Sequence, residues 1–323
     1  MANHQKIEAL LMPDISVIIC TYNPRLDYLQ RVLSALKDQS IAVESWELLI
    51  IDNYSNNHFT NSVDISWHPN GKIISEPKAG LANARITGVD NASAELIVFV
   101  DDDNVLDRDY LLASLNFHKQ NPKVGCFGGM SLPVFEVEPP AWFYQTGINL
   151  GCQNYGNQLY VSDQASVGYQ LTSYPEKAPI GTGMVITRSA FKSYQLNVAN
   201  NKQRLQLGRK GMELTSGEDN DIILTIVKNG FEVAYLPQLI VNHLIPANRL
   251  SDAYLSKMAY QSNKSWIKLL LYHQICHFAP IPKWTLLPRK IKAWILYKAW
   301  SSPLNYIKWQ GACGTFEALA NNG

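Results

Sequence analysis

Cysteine is scarce in this chain of 323 residues: Cys20, Cys126, Cys152, Cys276 and Cys313 lie far apart and form no CxxC pair. That spacing excludes a disulfide framework and a zinc ribbon and points to a reducing compartment. Long apolar runs are missing too, none approaching the ~18 residues that a membrane-spanning helix needs. The opening MANHQKIEALLMPD has no basic segment followed by an apolar stretch of ~7–15 residues, so it does not read as a secretory signal. The expected location is therefore cytoplasmic. Internal repeats and low-complexity tracts are absent, and with 46% hydrophobic and 17% charged residues the composition rules out disorder. Two nucleotide-binding signatures are also lacking. The turn after the first apolar run reads TYNPRLDY rather than GxGxxG, and GxxxxGK[ST] does not occur. A dinucleotide-dependent oxidoreductase and a P-loop enzyme are thereby excluded. A sugar nucleotidyltransferase would carry a Gly-rich, basic first turn, which TYNP is not.

Acidic residues are nearly absent from the C-terminal part. Residues 251–323 hold nine Lys+Arg against only Asp252 and Glu317, while residues 1–250 hold 19 Lys+Arg against 25 Asp+Glu. A formal net charge of +1 thus hides a split of −6 and +7. The basic segment also carries five of the eight tryptophans: Trp266, Trp284, Trp294, Trp300 and Trp309. Basic side chains interleaved with amphipathic aromatics suit an anionic membrane interface. They equally suit a helical subdomain whose aromatics pack on the rest of the chain. Nucleic acid is disfavoured, because no recognition motif accompanies them.

The remainder reads as alternating strands and helices. Asp14–Cys20 is a buried, β-branched run, and Asn23-Pro24 reads as an N-cap with Pro at the first helical position. Leu29, Val32, Leu33 and Leu36 recur at helical spacing, giving a helix over 24–38. Strands are expected at Glu47–Ile51, Lys72–Ser75 and Glu95–Val100, with a helix over Gly80–Ala92. This order predicts a parallel sheet with helices on both faces. Such sheets bind ligands beyond the carboxyl ends of their strands. Residues 131–178 read as a loop-dominated insertion. A strand follows at Gly181–Thr187, then a helix over Glu218–Asn229, then a strand over Phe231–Leu236 closed by Pro237. Beyond Ser251 the pattern is helical and broken by prolines. The expected division is residues 1–250 as an α/β domain and 251–323 as a helical region.

Asp101-Asp102-Asp103 is the strongest chemical signal. Three adjacent carboxylates after a buried strand repel one another unless a cation lies among them, and hard oxygens suit Mg²⁺ or Mn²⁺ shared with substrate phosphates. A solvated turn capping the next helix is the plainer alternative. A second acidic cluster, Glu218-Asp219-Asn220-Asp221, opens a helix, where carboxylates are favoured by the dipole. Asp221 is the natural cap among them, and Glu218 or Asp219 could face a cavity as a general base. His243 in VNHLIP is either structural or a further metal or phosphate ligand.

SVIICTYN (16–23), LLIIDNYS (48–55), EPKAGLANARITG (76–88), IVFVDDDN (97–104), GTGMVITRSAF (181–191) and GEDNDI (217–222) occur in the order seen in family 2 glycosyltransferases. The chain resembles that family over about residues 14–245. With HLIPANRL (243–250), it further resembles bacterial enzymes of exopolysaccharide and surface-polysaccharide assembly.

The resemblance implies the GT-A fold, a nucleotide-binding α/β domain with a mostly parallel sheet. Thr21, Tyr22 and Asn23 would then hold the nucleotide, Asp52 the base, usually uracil, and Arg85 would lie near the nucleotide. Ile86-Thr87 departs from the family's usual Asn-x at that point. Asp101 and Asp102 would contact the donor, Asp103 would be the direct ligand of Mn²⁺ or Mg²⁺ in a D-x-D motif, and His243 would add a metal or diphosphate contact. Gly181, Thr182 and Gly183 would form the acceptor side. Asp219, with Glu218 beside it, would be the base of an inverting transfer to a saccharide or lipid-linked saccharide. The absence of a QxxRW segment points to one sugar per event rather than processive synthesis. Lipid-linked acceptors would place the enzyme peripherally on the cytoplasmic face of the inner membrane. A non-catalytic carbohydrate-binding or scaffold protein of the same fold is the competing reading; such a protein would be expected to lose the aspartates or the ED pair, and this chain keeps both.

Overall fold

The computed structural model describes residues 12–162, 171–199, 201–205, 207–209 and 214–320. The N-terminal stretch tested for a signal and residues 163–170 of the 131–178 region lie outside the described residues.

Strand β1 (Ile15–Thr21) is buried along its whole length, as expected for an apolar run covered on both faces. It pairs in parallel with β2 (Trp46–Asp52) and β4 (Leu96–Asp101), and β2 pairs in parallel with β3 (Gly71–Ser75). Helices α1 (Leu26–Lys37) and α2 (Leu81–Asn91) connect these strands. Alternation along β1 sorts its side chains between two cores. Ile15, Val17 and Ile19 pack with Leu29, Val32, Leu33 and Leu36 of α1 and with Tyr110 and Leu111 of α3 (Tyr110–Gln120). Ile18 and Cys20 face α2, α4 (Arg188–Val198) and α6 (Glu218–Lys228).

The sheet continues through β5 (Asn104–Leu106), β6 (Val124–Phe135), β7 (Tyr160–Val161), β8 (Val185–Thr187) and β9 (Glu232–Ile245). Its order is β3-β2-β1-β4-β8-β6-β9-β5, with β7 on β9. β8 runs antiparallel to β4 and β6, whereas β6 and β9 are parallel. The result is a mixed α/β fold with a mostly parallel sheet flanked by helices.

Three local expectations are corrected. Asn23 does not cap α1: the helix starts at Leu26, Arg25 holds the N-cap position, and Asn23 has a left-handed φ of 49°. Residues 131–135 are not loop but the end of β6. They prolong the buried run Val124–Gly129 into a stretch that is partly exposed and carries Pro133, which is why it reads as loop. Pro237 does not close its strand either. The β6–β9 register slips between Gly128 opposite Tyr235 and Met130 opposite Ile240, so β9 carries extra residues there. An irregularity of this kind accommodates a residue with no N–H. Gly129 lies against it, where an added Cβ would come 2.0 Å from the Leu239 carbonyl oxygen.

Helix α7 (Asp252–Tyr272), capped by the Ser251 side chain, packs into both halves of the structure. Its Leu269 and Leu270 join the core beneath α6. Its Leu255, Met258 and Ala259 pack with Phe143, Leu150, Ile245 and with Ile307 of α9 (Pro303–Ala320). α7 and α9 meet at Gly314, where a Cβ would sit 2.1 Å from the Tyr260 carbonyl oxygen. Gly314→Val is therefore predicted to destabilise the protein by about 1–3 kcal/mol or more through overpacking. A thermal midpoint equal to that of the unaltered protein would show that the two helices are not in contact here. Between them in sequence lies α8 (Leu286–Tyr297). Among the described residues, no helix is long and apolar enough to cross a membrane.

Candidate active site

The carboxyl ends of β1, β2 and β4 open into a cleft of about 910 Å³. Thr21, Tyr22, Arg85, Asp101, Asp102, Asp103, Gly181, Thr182, Glu218, Asp219 and His243 all line it, brought together from six separate segments. Three of the residues singled out in the sequence do not line it. Asn23 instead organises the adjoining turn, its Oδ1 accepting from the amides of Asn56 (2.9 Å) and Asn57 (3.3 Å). Asp52 Oδ1 accepts from the Ser55 amide at 3.0 Å. Gly183 is structural: its φ is +69°, its carbonyl accepts from the Tyr110 hydroxyl, and a Cβ would meet Val241 at 2.6 Å. Asp52 and Asn23 thus shape the rim rather than the wall.

The acidic triplet is not uniform. Asp103 is buried, with Oδ1 accepting from Asn104 Nδ2 (3.0 Å) and Oδ2 accepting from Arg249 Nη2 (2.9 Å), 3.4 Å from His243 Nε2. Burial alone would raise its pKa. His243 and Arg249 overcome that and hold the carboxyl well below the usual range. Burial would likewise lower the His243 imidazole, but the Asp103 carboxylate and its hydrogen bond raise it to about 9. Asp102 accepts from the Thr21 hydroxyl. Burial, together with the charge of Asp103, pushes it up to about 7. Asp101 is raised by burial despite Arg85. Burial thus favours the neutral form of Asp101 and Asp102, while Asp103 is the carboxylate held in its charged form at the cleft.

Three adjacent carboxyls lining one cleft, one of them held charged, fit a divalent cation. Among the described residues, no group of three or more His, Cys, Asp and Glu is arranged to hold a metal by itself. The protein can offer the Asp103 carboxylate and, once a cation displaces its proton, the His243 imidazole 3.4 Å away, leaving the remaining positions to phosphate oxygens and water. A single carboxylate shared with substrate phosphates is ordinary for Mg²⁺, and the imidazole would add a nitrogen ligand to it.

The opposite wall carries the ED pair at the start of α6. Glu218 is 2% exposed and lies 3.3 Å from Arg85, itself 3% exposed. Burial pushes Glu218 up to about 7, against the pull of Arg85. Asp219 is partly exposed to the cleft. Its Oδ2 accepts from the Gly181 amide at 3.0 Å and its Oδ1 from the Asn220 amide at 2.9 Å. The Gly181 segment thus fixes the orientation of Asp219, and Arg85–Glu218 forms the buried floor beneath it. Asp221 is no helix cap. It is fully buried and bound to Arg204 and His273.

Two cleft residues escape a reading of motifs. Asn53, next to Asp52, donates to the Lys78 carbonyl and accepts from the Gly80 amide, both at 2.8 Å, and so clasps the loop before α2. Arg249 lies six residues after His243 and is turned back onto Asp103 by the short helical turn Ala247–Leu250. Its place in HLIPANRL was visible, but its partner was 146 residues away.

A mostly parallel α/β sheet with carboxylates at its strand ends and an acidic pair on the facing wall is the architecture of the GT-A transferases. The family profile described as Glycosyl transferase family 2 matches residues 16–194, and the chain belongs to that family. A probable N-acetylgalactosaminyltransferase 7 of Caenorhabditis elegans is 22% identical over 78% of this chain and 41% of its own length. The succinoglycan biosynthesis protein ExoM of Rhizobium meliloti is 22% identical over 60% of this chain and 54% of its own. The chain thus spans about half the length of these relatives or less. In fold, it is similar to GalNAc-T7 solved with UDP, GalNAc and Mn²⁺, with a TM-score of 0.56 and 13% identity over 96% of this chain and 56% of that one.

Proposed function

We propose that this chain is an inverting, metal-dependent glycosyltransferase. It moves one sugar from a UDP-sugar to a hydroxyl of a saccharide or lipid-linked saccharide in the assembly of a bacterial surface or exopolysaccharide. The observation that carries this reading is the pairing, across one cleft, of the Asp101–Asp103 cluster with a carboxylate, Asp219, fixed by the Gly181 amide. The crystallised neighbour holding UDP and Mn²⁺ supports the choice of nucleotide and cation. The relative named for succinoglycan biosynthesis supports the choice of product class.

Thr21, Tyr22 and Asn53 line the donor end, with Asp52 and Asn23 on its rim. Asp101 and Asp102 orient the donor ribose and sugar. Asp103, with His243 beside it, would hold the divalent cation, which would supply positive charge to the departing diphosphate. Arg249, with Nη2 on Asp103 at 2.9 Å and Nη1 3.2 Å from His243 Nε2, keeps Asp103 oriented and adds positive charge beside the same phosphates. Asp219 takes the proton of the acceptor hydroxyl. The new bond forms between that oxygen and the anomeric carbon as the carbon–oxygen bond to the diphosphate breaks, and the bonding pair leaves with the nucleoside diphosphate. A single displacement inverts the anomeric centre. Gly181 and Thr182 shape the acceptor side.

The test is release of nucleoside diphosphate from a panel of UDP-, GDP- and dTDP-sugars with Mn²⁺ and saccharide acceptors. UDP-sugars are expected to turn over, and Asp103→Ala to weaken Mn²⁺-dependent UDP binding at least ~tenfold, the loss of roughly one charged contact. Metal-dependent binding unchanged in Asp103→Ala would remove that residue from the cation site.

A further inference from the structure

Helix α8 buries only Ala293. On its outer face Leu287, Ile291 and Ile295 follow one another at four-residue spacing, a continuous stripe. Leu287 is 67% and Ile295 59% exposed, and Trp284, just before the helix, is 80% exposed. Trp300, just after it, is also exposed. The inner face is already satisfied. Trp294 packs edge-on against Trp309 with centroids 4.7 Å apart, Tyr306 joins them, and Trp309 donates to the Lys290 carbonyl at 3.0 Å. α8 is therefore held rigidly on α9 with its apolar stripe turned outward. The tryptophans divide accordingly: Trp266, Trp294 and Trp309 pack inward, Trp300 touches Trp294 at a centroid distance of 6.4 Å but stays mostly exposed, and Trp284 is exposed.

Charge identifies the partner. Lys283, Lys292 and Lys298 are exposed beside or at the ends of the stripe and Arg289 is exposed further round the helix, and among the described residues none of them pairs with a carboxylate. Glu317, one of the two acidic residues beyond position 250, is already held by Lys264 and Lys290. An apolar stripe with interfacial tryptophans and an uncompensated basic rim, on a helix too short to span a bilayer, matches a surface of anionic lipid. We propose that α8 lies in the plane of an anionic bilayer interface, with Trp284, Leu287, Ile291 and Ile295 inserted among the acyl chains.

The position of α8 gives this docking a consequence. A second groove of about 650 Å³ runs between α7 and α9, reaching Tyr297 at the end of α8 and sharing Asn149, Ser216 and Met258 with the cleft. A lipid-linked acceptor would enter by that route. This last point rests on the transferase reading, whereas docking itself is measured without donor or acceptor.

The experiment is flotation of the full chain with vesicles of phosphatidylcholine alone and of phosphatidylcholine with phosphatidylglycerol. Binding is expected to favour the anionic vesicles by at least ~tenfold and to weaken with added salt. Ile291→Asp with Ile295→Asp should abolish it, and Lys292→Glu with Lys298→Glu should reduce it at least ~tenfold. Thermal unfolding should be unchanged in both, since these side chains are exposed. Failure to bind either vesicle, or binding unaffected by the Ile291→Asp, Ile295→Asp pair, would overturn the proposal. So would a dimer on gel filtration that this pair dissociates while vesicle binding is absent, since the stripe would then join two copies of the chain.

Discussion

Asp219→Asn is expected to lower sugar transfer by ~10²–10⁴-fold, the usual contribution of a general base, while UDP binding stays close to that of the unaltered protein. The amide keeps an oxygen that can accept from the Gly181 N–H, as the carboxylate does now at 3.0 Å, so the wall of the cleft should hold its shape. What is lost is the ability to take a proton from the acceptor hydroxyl. Glu218 cannot substitute. It is 2% exposed, it sits against Arg85, and burial already favours its protonated form. Paired measurements of transfer and nucleotide affinity separate the cases. Full transfer by Asp219→Asn would remove it from the base role, and lost nucleotide affinity would show that it shapes the donor site instead.

The largest expected effect on stability lies two residues further along α6. Asp221 is fully buried and binds Arg204 through both carboxylate oxygens (2.9 and 2.8 Å) and His273 Nε2 at 2.6 Å. This node ties α5 (Lys202–Leu205), which leads toward the cleft residues Gly208 and Arg209, to α6 and to the end of α7. Removing one member leaves buried charge without a counter-charge, at a cost of about 3–5 kcal/mol. Asp221→Ala should therefore lower stability to urea by that amount. Arg204→Met with Asp221→Leu should recover part of the loss, because an apolar pair has no charge to strand. Strict additivity of the two single substitutions would contradict a direct interaction.

The parts of this architecture that a sequence displays are those written locally. The buried runs of β1, β2 and β4 and the stripe on α1 have unambiguous periods, and the aspartates at their ends fall at the mouth of the cleft. The ED pair opens a helix, as its dipole preference requires. The second half of the sheet was harder to read. Val124–Gly129 alternates nothing because both faces are buried, and Pro237 looked like a strand terminator until a register shift absorbed it. Long-range pairings left no local trace. Asp221 looks like a helix cap, and only the approach of α5 and α7 turns it into an ion-pair node. Arg249 is one basic residue among many until β9 carries it back to Asp103. The basic, aromatic C-terminal region left packing and membrane contact as equal options; in the fold it divides residue by residue, with an aromatic cluster inside and the stripe of α8 outside.

The central claim is that the cleft binds a nucleoside diphosphate through a divalent cation at the acidic triplet. Calorimetric titration of the full chain with UDP, GDP and dTDP, each with Mn²⁺ and again with a chelator, tests it most directly. Heat of binding is expected for UDP with Mn²⁺, and its loss with the chelator. Equal binding with and without the cation, or no binding of any of the three by folded protein, would contradict it.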